Sequence, residues 1–323
     1  MISRILVTGA TGFIGSHLTK RLVKEDFEVG IIKRKSSDIR RIKSLIGKVK
    51  IYNLDLEDTR SVFKIISHFR PQVIFHLAAC YAVEHTLQEL SPVVKTNVLG
   101  TINLLEASRK FGIELFVNTS SCFVYKESKD KLKESSQLNP LNLYALTKIY
   151  TEQACTFYAE KYGLKVVTFR LFPPYGPFDH LRKLIPYTIK SFLEGKEPRM
   201  TTGKQKWDFV YVDDVVEAYL RILSVYDFVK THEIFNIGTG KAISVREIVL
   251  RIREIMNTKL KPKWNAILHR ENEVWFMCAD IKKIETFLKW KPRIHILDEG
   301  LRLTIEWYKR YLTKGEDRNG IKN

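Results

Sequence analysis

Short apolar runs alternate with longer amphipathic stretches through the first half of the chain. Ile5-Leu6-Val7-Thr8 reads as a buried strand, and a glycine-rich turn from Gly9 to Gly15 leads into a helix from Ser16 to about Lys24. Further strands are expected at Phe27 to Ile32, Val49 to Leu54, Val73 to Leu77 and Glu114 to Thr119. A helix holding Val93, Asn97, Gly100, Leu104 and Leu105 precedes the last of these, and Leu143 to Gly163 reads as one long helix. This rhythm predicts an α/β fold, a parallel sheet covered by helices on both faces, with ligands bound beyond the carboxyl ends of the strands. The second half breaks the pattern at Pro173-Pro174-Tyr175-Gly176-Pro177 and resumes with a helix over Leu184 to Leu193. Val210 to Asp213 is expected to return to the main sheet, and the tail from Lys314 reads as a frayed, solvated end.

The candidate chemistry falls at those strand ends. Gly9-Ala10-Thr11-Gly12-Phe13-Ile14-Gly15 sits between a strand and a helix, the context that a dinucleotide fingerprint requires. Gly9 allows the tight turn, Gly12 a close approach of pyrophosphate, and Gly15 close packing of helix on strand, while the helix N-terminus faces the anion. This makes the predicted sheet a doubly wound Rossmann fold. Lys33-Arg34-Lys35-Ser36-Ser37 follows the second strand where a carboxylate for the adenosine ribose is usual. Cations and hydroxyls there suit a 2′-phosphate, so NADP(H) is preferred, while Asp38 keeps NAD open. Asp55-Leu56 and Leu77-Ala78-Ala79 close the third and fourth strands at the expected cofactor edge.

Tyr144 and Lys148 lie one turn apart on the long helix, so phenol and ammonium share a face. A fixed cation stabilises a phenolate, which makes Tyr144 a proton-transfer candidate beside the hydroxyl cluster Thr119-Ser120-Ser121. Asn97, in mid-helix, reads first as a satisfied polar core residue.

Composition changes this picture little. A chain of 323 residues with 45% hydrophobic content makes one large domain or two smaller ones. The opening residues run straight into a strand and no apolar run is long enough for a membrane span, so a cytoplasmic protein without membrane contact is expected. Four cysteines without CxxC spacing and eight histidines without a ligand pattern predict free thiols and no metal. The net charge of +18 is spread along the chain, which fits a solvated Lys-rich surface and not a nucleic-acid stripe.

The motifs, taken in order, resemble the extended short-chain dehydrogenase/reductases, in their nucleotide-sugar epimerase, dehydratase and reductase branch. The matching pieces are TGATGFIGSHL from Thr8, DLED from Asp55, HLAA from His76, NVLGT from Asn97, NTSSCFVY from Asn118 and YALTK from Tyr144. RLFPPYGP from Arg170, WDFVYVDDVVEAY from Trp207, FNIGTG from Phe235 and Trp290-Lys291-Pro292 complete them. The resemblance implies a Rossmann cofactor domain over residues 1–172 and a smaller substrate domain mainly over 173–323, interleaved near 207–240.

It also implies the catalytic trio Ser121, Tyr144 and Lys148, with Ser121 preferred because it stands four residues before Tyr125. The implied cofactor residues are Gly9, Thr11, Gly12, Phe13, Ile14, Gly15, Lys33, Arg34, Ser36, Asp55, Leu56, Leu77, Ala78, Ala79, Asn97, Ser120 and Phe172, with Tyr144 and Lys148. For the nucleotide-sugar substrate it points to Tyr81, Ser121, Cys122, Tyr175, Lys183, Leu184, Trp207, Arg270 and Asp280. Cys122 and Phe123 replace the acids that follow the catalytic hydroxyl in dehydratases, so dehydration is disfavoured. Pro173 and Trp207 replace an Asn and an Arg that usually touch the diphosphate, leaving Arg182, Lys183 or Arg270 to do so. The preferred function is NADP(H)-dependent reduction of a 4-keto nucleotide sugar; the alternatives are an NAD-dependent 4-epimerase and a non-catalytic NAD(P) sensor. A homodimer is implied through the helices at Asn97 to Ser108 and Tyr144 to Tyr162, with Leu105, Leu146, Ile149 and Phe157 as candidate contacts.

Overall fold

A computed structural model describes residues 2–81, 87–294 and 297–313. The first half runs β1 (Arg4–Thr8), α1 (Phe13–Lys24), β2 (Glu28–Lys33), β3 (Lys50–Asn53), α2 (Thr59–Phe69) and β4 (Val73–His76). Next come α3 (Leu87–Val94), a π turn (Lys95–Leu99), α4 (Gly100–Phe111), β5 (Leu115–Ser121), α5 (Leu143–Tyr162) and β6 (Val166–Leu171). In the second half follow β7 (Pro174–Tyr175), α6 (Leu184–Leu193), β8 (Lys206–Trp207), β9 (Val210–Tyr211), α7 (Val212–Val225) and β10 (His232–Ile237). The last elements are β11 (Ile243–Ser244), α8 (Val245–Ile255), β12 (Phe276–Met277), α9 (Lys282–Leu288) and α10 (Leu297–Thr313).

The main sheet has seven strands in the order β3-β2-β1-β4-β5-β6-β10, and every neighbouring pair is parallel. This is the expected Rossmann fold. The strand order reverses between β1 and β4, and that is where such a sheet opens a crevice for ligand. Successive side chains of β1 point to opposite faces. Ile5 and Val7 pack with Leu18, Phe75, Val117, Phe169 and Tyr219 against α1 and α7, whereas Leu6 packs with Ile74, Phe116, Leu104 and Cys155 against α2, α4 and α5.

Three readings from sequence need correction. Val210–Tyr211 pairs only with β7, and the chain returns to the main sheet through β10 beside β6. The helix after the glycine turn begins at Phe13 because Gly12, extended at ψ 175°, is its N-cap. Leu105 is fully buried between sheet and α4, so it is closed to any second subunit, while Phe157 is 53% exposed. Among the described residues, no helix is long and apolar enough to cross a membrane.

A third core joins α6, α8 and α10 through Ile185, Ile189, Phe192, Ile248, Ile252, Leu301, Ile305 and Tyr308. Asp208 ties this half together: its buried carboxylate accepts the N–H groups of Thr239 and Gly240 at 2.8 Å and of Ala279 at 3.1 Å.

Candidate active site

Beyond β1 the backbone forms a cradle that side chains would fill. A Cβ on Gly9, whose φ is +72°, would lie 2.6 Å from the Ala78 nitrogen, and one on Gly15 would lie 2.1 Å from the Gly9 carbonyl oxygen. Gly12 N-caps α1 without any side-chain acceptor, and the first turn carries no acid. The N–H groups of that turn are therefore left without a side-chain acceptor at the positive end of the helix dipole, the arrangement that binds phosphate. Leu77, Ala78 and Ala79 follow β4, Asp55 and Leu56 follow β3, and Lys33, Arg34 and Ser36 follow β2, all on the same edge of the sheet. The Lys33 ammonium donates to the Arg34 carbonyl at 3.1 Å.

The catalytic candidates meet where β5 ends and α5 begins. β5 extends through Ser121 because its register with β6 continues to the pair Ser121–Leu171. The Ser121 hydroxyl oxygen accepts the Phe123 N–H at 3.2 Å, which leaves its own proton to donate. Asn142 caps α5 by accepting the Ala145 N–H at 2.9 Å, fixing the turn that carries Tyr144. Lys148 is buried; its ammonium donates to the Thr119 carbonyl at 2.7 Å and lies 5.6 Å from the centre of the Tyr144 ring. Burial pulls the lysine down to about 8, with Glu152 opposing it. Burial also pushes the Tyr144 phenol up, helped by Tyr81, whose ring meets it edge-on at 4.9 Å. The lowered phenol expected from sequence is not found: desolvation, with Tyr81 and Cys122 adding to it, sets the direction.

A hydrogen-bond chain connects cradle and catalytic helix. The Thr8 hydroxyl pairs with His76 Nδ1 at 2.7 Å, His76 Nε2 with the Thr101 hydroxyl at 2.9 Å, and Thr101 donates to the Asn97 carbonyl. Asn97 sits in the π turn, accepts the Cys80 N–H at 2.7 Å and donates to the Thr147 hydroxyl at 3.0 Å. Thr147 in turn donates to the Tyr144 carbonyl at 2.7 Å. Asn97, expected at the cofactor, thus spends its amide clamping the loop after β4 to α5. Ser120 differs: its buried hydroxyl has no partner among the described residues. By strand alternation it stands on the face opposite Thr119 and Ser121.

The substrate residues inferred from sequence divide into two groups. Lys183 pairs with Asp179 at 2.9 Å and lies 5.5 Å from the Phe13 ring, so the second half reaches the first helical residue of the cradle. Leu184 lines a groove of about 1200 Å³ with Arg41, Phe178, Tyr187, Met200 and Trp307. Arg270 is exposed on the loop before β12, and Asp280 accepts the Lys282 N–H at 3.0 Å at the start of α9. The other group is turned inward. Tyr175 is buried, with the Gly300 backbone close against its hydroxyl, and the Trp207 indole donates to the Val274 carbonyl at 2.8 Å. Phe172 and Cys122 lie wholly in a small core with Val124 and Tyr125. Tyr175, Phe172 and Cys122 therefore support the cleft instead of facing it.

Residues 5–238 match the model of the NAD dependent epimerase/dehydratase family. The chain belongs to that family. A putative UDP-glucose 4-epimerase of Methanocaldococcus jannaschii is 34% identical over 313 residues, covering 94% of this chain and 98% of that one. CDP-abequose synthase of Salmonella muenchen is 31% identical over 299 residues, covering 93% and 96%. Among solved structures, UDP-glucose 4-epimerase of Thermotoga maritima with UDP-glucose aligns at a TM-score of 0.88 and 31% identity, covering 96% of this chain and 99% of that one. UDP-glucuronic acid 4-epimerase of Bacillus cereus, in complex with UDP-glucuronic acid and NAD, aligns at 0.87 and 28%, covering 95% and 99%.

This epimerase/dehydratase family member carries a cradle that fits an NAD-type dinucleotide: the glycines leave the space, the uncapped helix the charge, and Ser120 an unspent hydroxyl. Sequence reasoning missed His76, Thr101, Thr147 and Asp208 as organising residues. Their signal was only a buried polar side chain within an apolar element, which sequence does not distinguish from a solvated one.

Proposed function

We propose that the chain is a nucleotide-sugar 4-epimerase in which Ser121, Tyr144 and Lys148 act at one sugar carbon. The observation that carries this is the Lys148–Thr119 bond, which holds the Tyr144–Lys148 face of α5 against β5 two residues before Ser121, in a chain that aligns end to end with UDP-sugar 4-epimerases. When bound against Gly9 to Gly15, with Thr11, Phe13 and Ile14 in the same loop, the nicotinamide cofactor supplies hydride acceptance and return. For the oxidising step Tyr144 must act as the phenolate, which Lys148 stabilises against the desolvation that otherwise keeps the phenol protonated; it takes the hydroxyl proton and gives it back to the ketone oxygen as the opposite face is reduced. Ser121 donates its free proton to the same oxygen, and Lys148 stabilises the phenolate. Lys183 and Arg270 are the cations offered to the diphosphate, and Leu184 flanks the nucleotide.

A second reading has its own support. Lys33, Arg34 and Ser36 suit the 2′-phosphate of NADP, and a protonated Tyr144 is ready to donate, as a 4-ketoreductase needs. Residues 1–172 with the returning segment near 207–240 form the cofactor unit in this proposal, and the remainder the substrate unit. The exposed apolar residues Leu90, Val94, Ile102, Tyr150 and Phe157 on α3, α4 and α5 form the surface on which two cytoplasmic copies pair.

Incubation with UDP, GDP, CDP and dTDP sugars without added reductant separates the readings. The epimerase equilibrates a sugar over many turnovers, whereas the reductase stops after at most one. Tyr144→Phe lowers turnover roughly 10²- to 10⁴-fold with the melting temperature unchanged. A variant as active as the native enzyme excludes Tyr144 as the proton carrier.

A further inference from the structure

The proton-transfer scheme leaves one buried ion pair without a role. Glu152 follows Lys148 by one helical turn on α5, so the two share a face, and both are almost wholly buried, as is Arg170 on β6. Arg170 grips Glu152 with two parallel bonds, Nε to Oε1 at 3.0 Å and Nη2 to Oε2 at 2.6 Å. Its Nη1 donates to the Glu134 carbonyl at 2.9 Å, and its guanidinium lies 4.8 Å from the centre of the Tyr125 ring. The carboxylate is therefore held in one orientation by a rigid fork. Such a pair adds little to stability, because desolvating two charges offsets their attraction. Its position next to Lys148 suggests another use.

Several groups surround the Lys148 ammonium. Tyr144 and Cys155 share its helix, and burial keeps both protonated. His76 on β4 is held neutral by burial, with the charge of Lys148 adding to the effect. Tyr219 on α7 reaches the same strand end through the Thr119 hydroxyl at 2.7 Å, and Arg170 stands behind Glu152. Glu152 is thus the carboxylate that opposes the burial of this cation.

We propose that Glu152 is a positioning residue for proton transfer at Tyr144: locked by Arg170, its carboxylate keeps Lys148 charged and so sets the upper pH limit of the reaction. This rests on the Ser121, Tyr144 and Lys148 reading given above. Without Glu152 only Cys155, of these surrounding groups, opposes the burial of the Lys148 charge, and Lys148 gives up its proton at a lower pH. A neutral Lys148 no longer stabilises the Tyr144 phenolate.

The test follows Lys148 directly in the cofactor-loaded protein by ¹³C NMR of labelled lysine Cε, its resonance assigned by its loss in Lys148→Met. The native midpoint is expected near 8. Glu152→Gln lowers it by about one pH unit or more, a tenfold or greater fall in the ratio of ammonium to amine at the native midpoint, and moves the alkaline limb of turnover down with it. Glu152→Asp, which keeps the charge, restores most of both. A folded Glu152→Gln protein whose lysine titrates as in the native chain overturns the proposal. If that variant does not fold, Glu152→Gln combined with Arg170→Gln removes both charges, and the nearer carboxylate's loss still lowers the midpoint; an unchanged midpoint there overturns it as well. A midpoint shifted in Glu152→Gln, with the native protein inactive on every sugar, upholds the coupling of Glu152 to Lys148 and removes the epimerase reading instead.

Discussion

The two halves of the molecule build their parts of the cleft by opposite means. On the cofactor side the walls are backbone: glycines at Gly9, Gly12 and Gly15, the bare N-terminus of α1, and small residues after β4. On the substrate side the cleft depends on loops pinned by buried side chains, above all Asp208, which gathers the backbone around Gly240 and Ala279. A site made of backbone requires particular residues at fixed spacing, because a Cβ at Gly9 or Gly15 would run into the neighbouring backbone. A site made of pinned loops tolerates exchange at its rim, as Pro173 and Trp207 illustrate, provided the pins remain.

The sharpest way to break this contrast is at Gly15. Its added methyl would sit 2.1 Å from a backbone oxygen, so Gly15→Ala must displace β1 or α1 and costs roughly 3 kcal/mol or more. Gly12→Ala meets only one contact, at 3.1 Å, and Gly12 already has a φ of −76° that alanine adopts. It should fold normally and lose cofactor binding. Thermal melts with and without NAD check both, and a Gly12→Ala protein that binds NAD as tightly as the native chain would show that the cradle is not backbone-limited.

Asp208→Asn is the corresponding lesion in the substrate half. An amide cannot accept from every donor now gathered on the carboxylate, so buried N–H groups lose partners and the fold weakens by about 2–4 kcal/mol. Sugar turnover is expected to fall further than cofactor affinity, measured by titration of the folded protein. Equal losses in both would contradict the independence of the two halves.

Acid acts on the sheet that both halves share. Burial holds His76 down at about 3 and His232 at about 4, below the ordinary value of 6.5. The unfolded chain therefore binds protons below pH 6.5 that the fold refuses, and stability falls as pH drops from there toward those values. With two such groups the slope approaches about 2.7 kcal/mol per pH unit between roughly pH 6 and 4. Calorimetric melts across that range should show it, and His232→Asn should remove about half.

The comparison also marks how far a reading of residues carries. Gly9 to Gly15 announced itself because strand, turn and helix must follow one another for a dinucleotide loop, and the loop is local in the chain. Tyr144 and Lys148 were equally legible, since one turn of helix puts them together whatever surrounds it. Tyr175 and Trp207 lie on two-residue strands whose direction is set by distant partners, Gly300 and Val274 among them, so their inward orientation had no local signature. Asn97 reads from its place in mid-helix as a satisfied polar core group and from the resemblance as a cofactor residue; its amide bonds to Cys80 and Thr147, as the first reading expects.

By itself, then, the amino-acid order determined the parallel sheet, the cradle and the pairing of phenol with ammonium, because periodicity, glycine and helical spacing act over a few residues. Tertiary structure alone decided the charge states in that pair, the fate of the buried polar residues and which rim residues face the cleft. Desolvation depends on everything packed around a group. Lys148 is pulled down by a core assembled from α5, β4, β5 and β6, and no stretch of sequence contains that core.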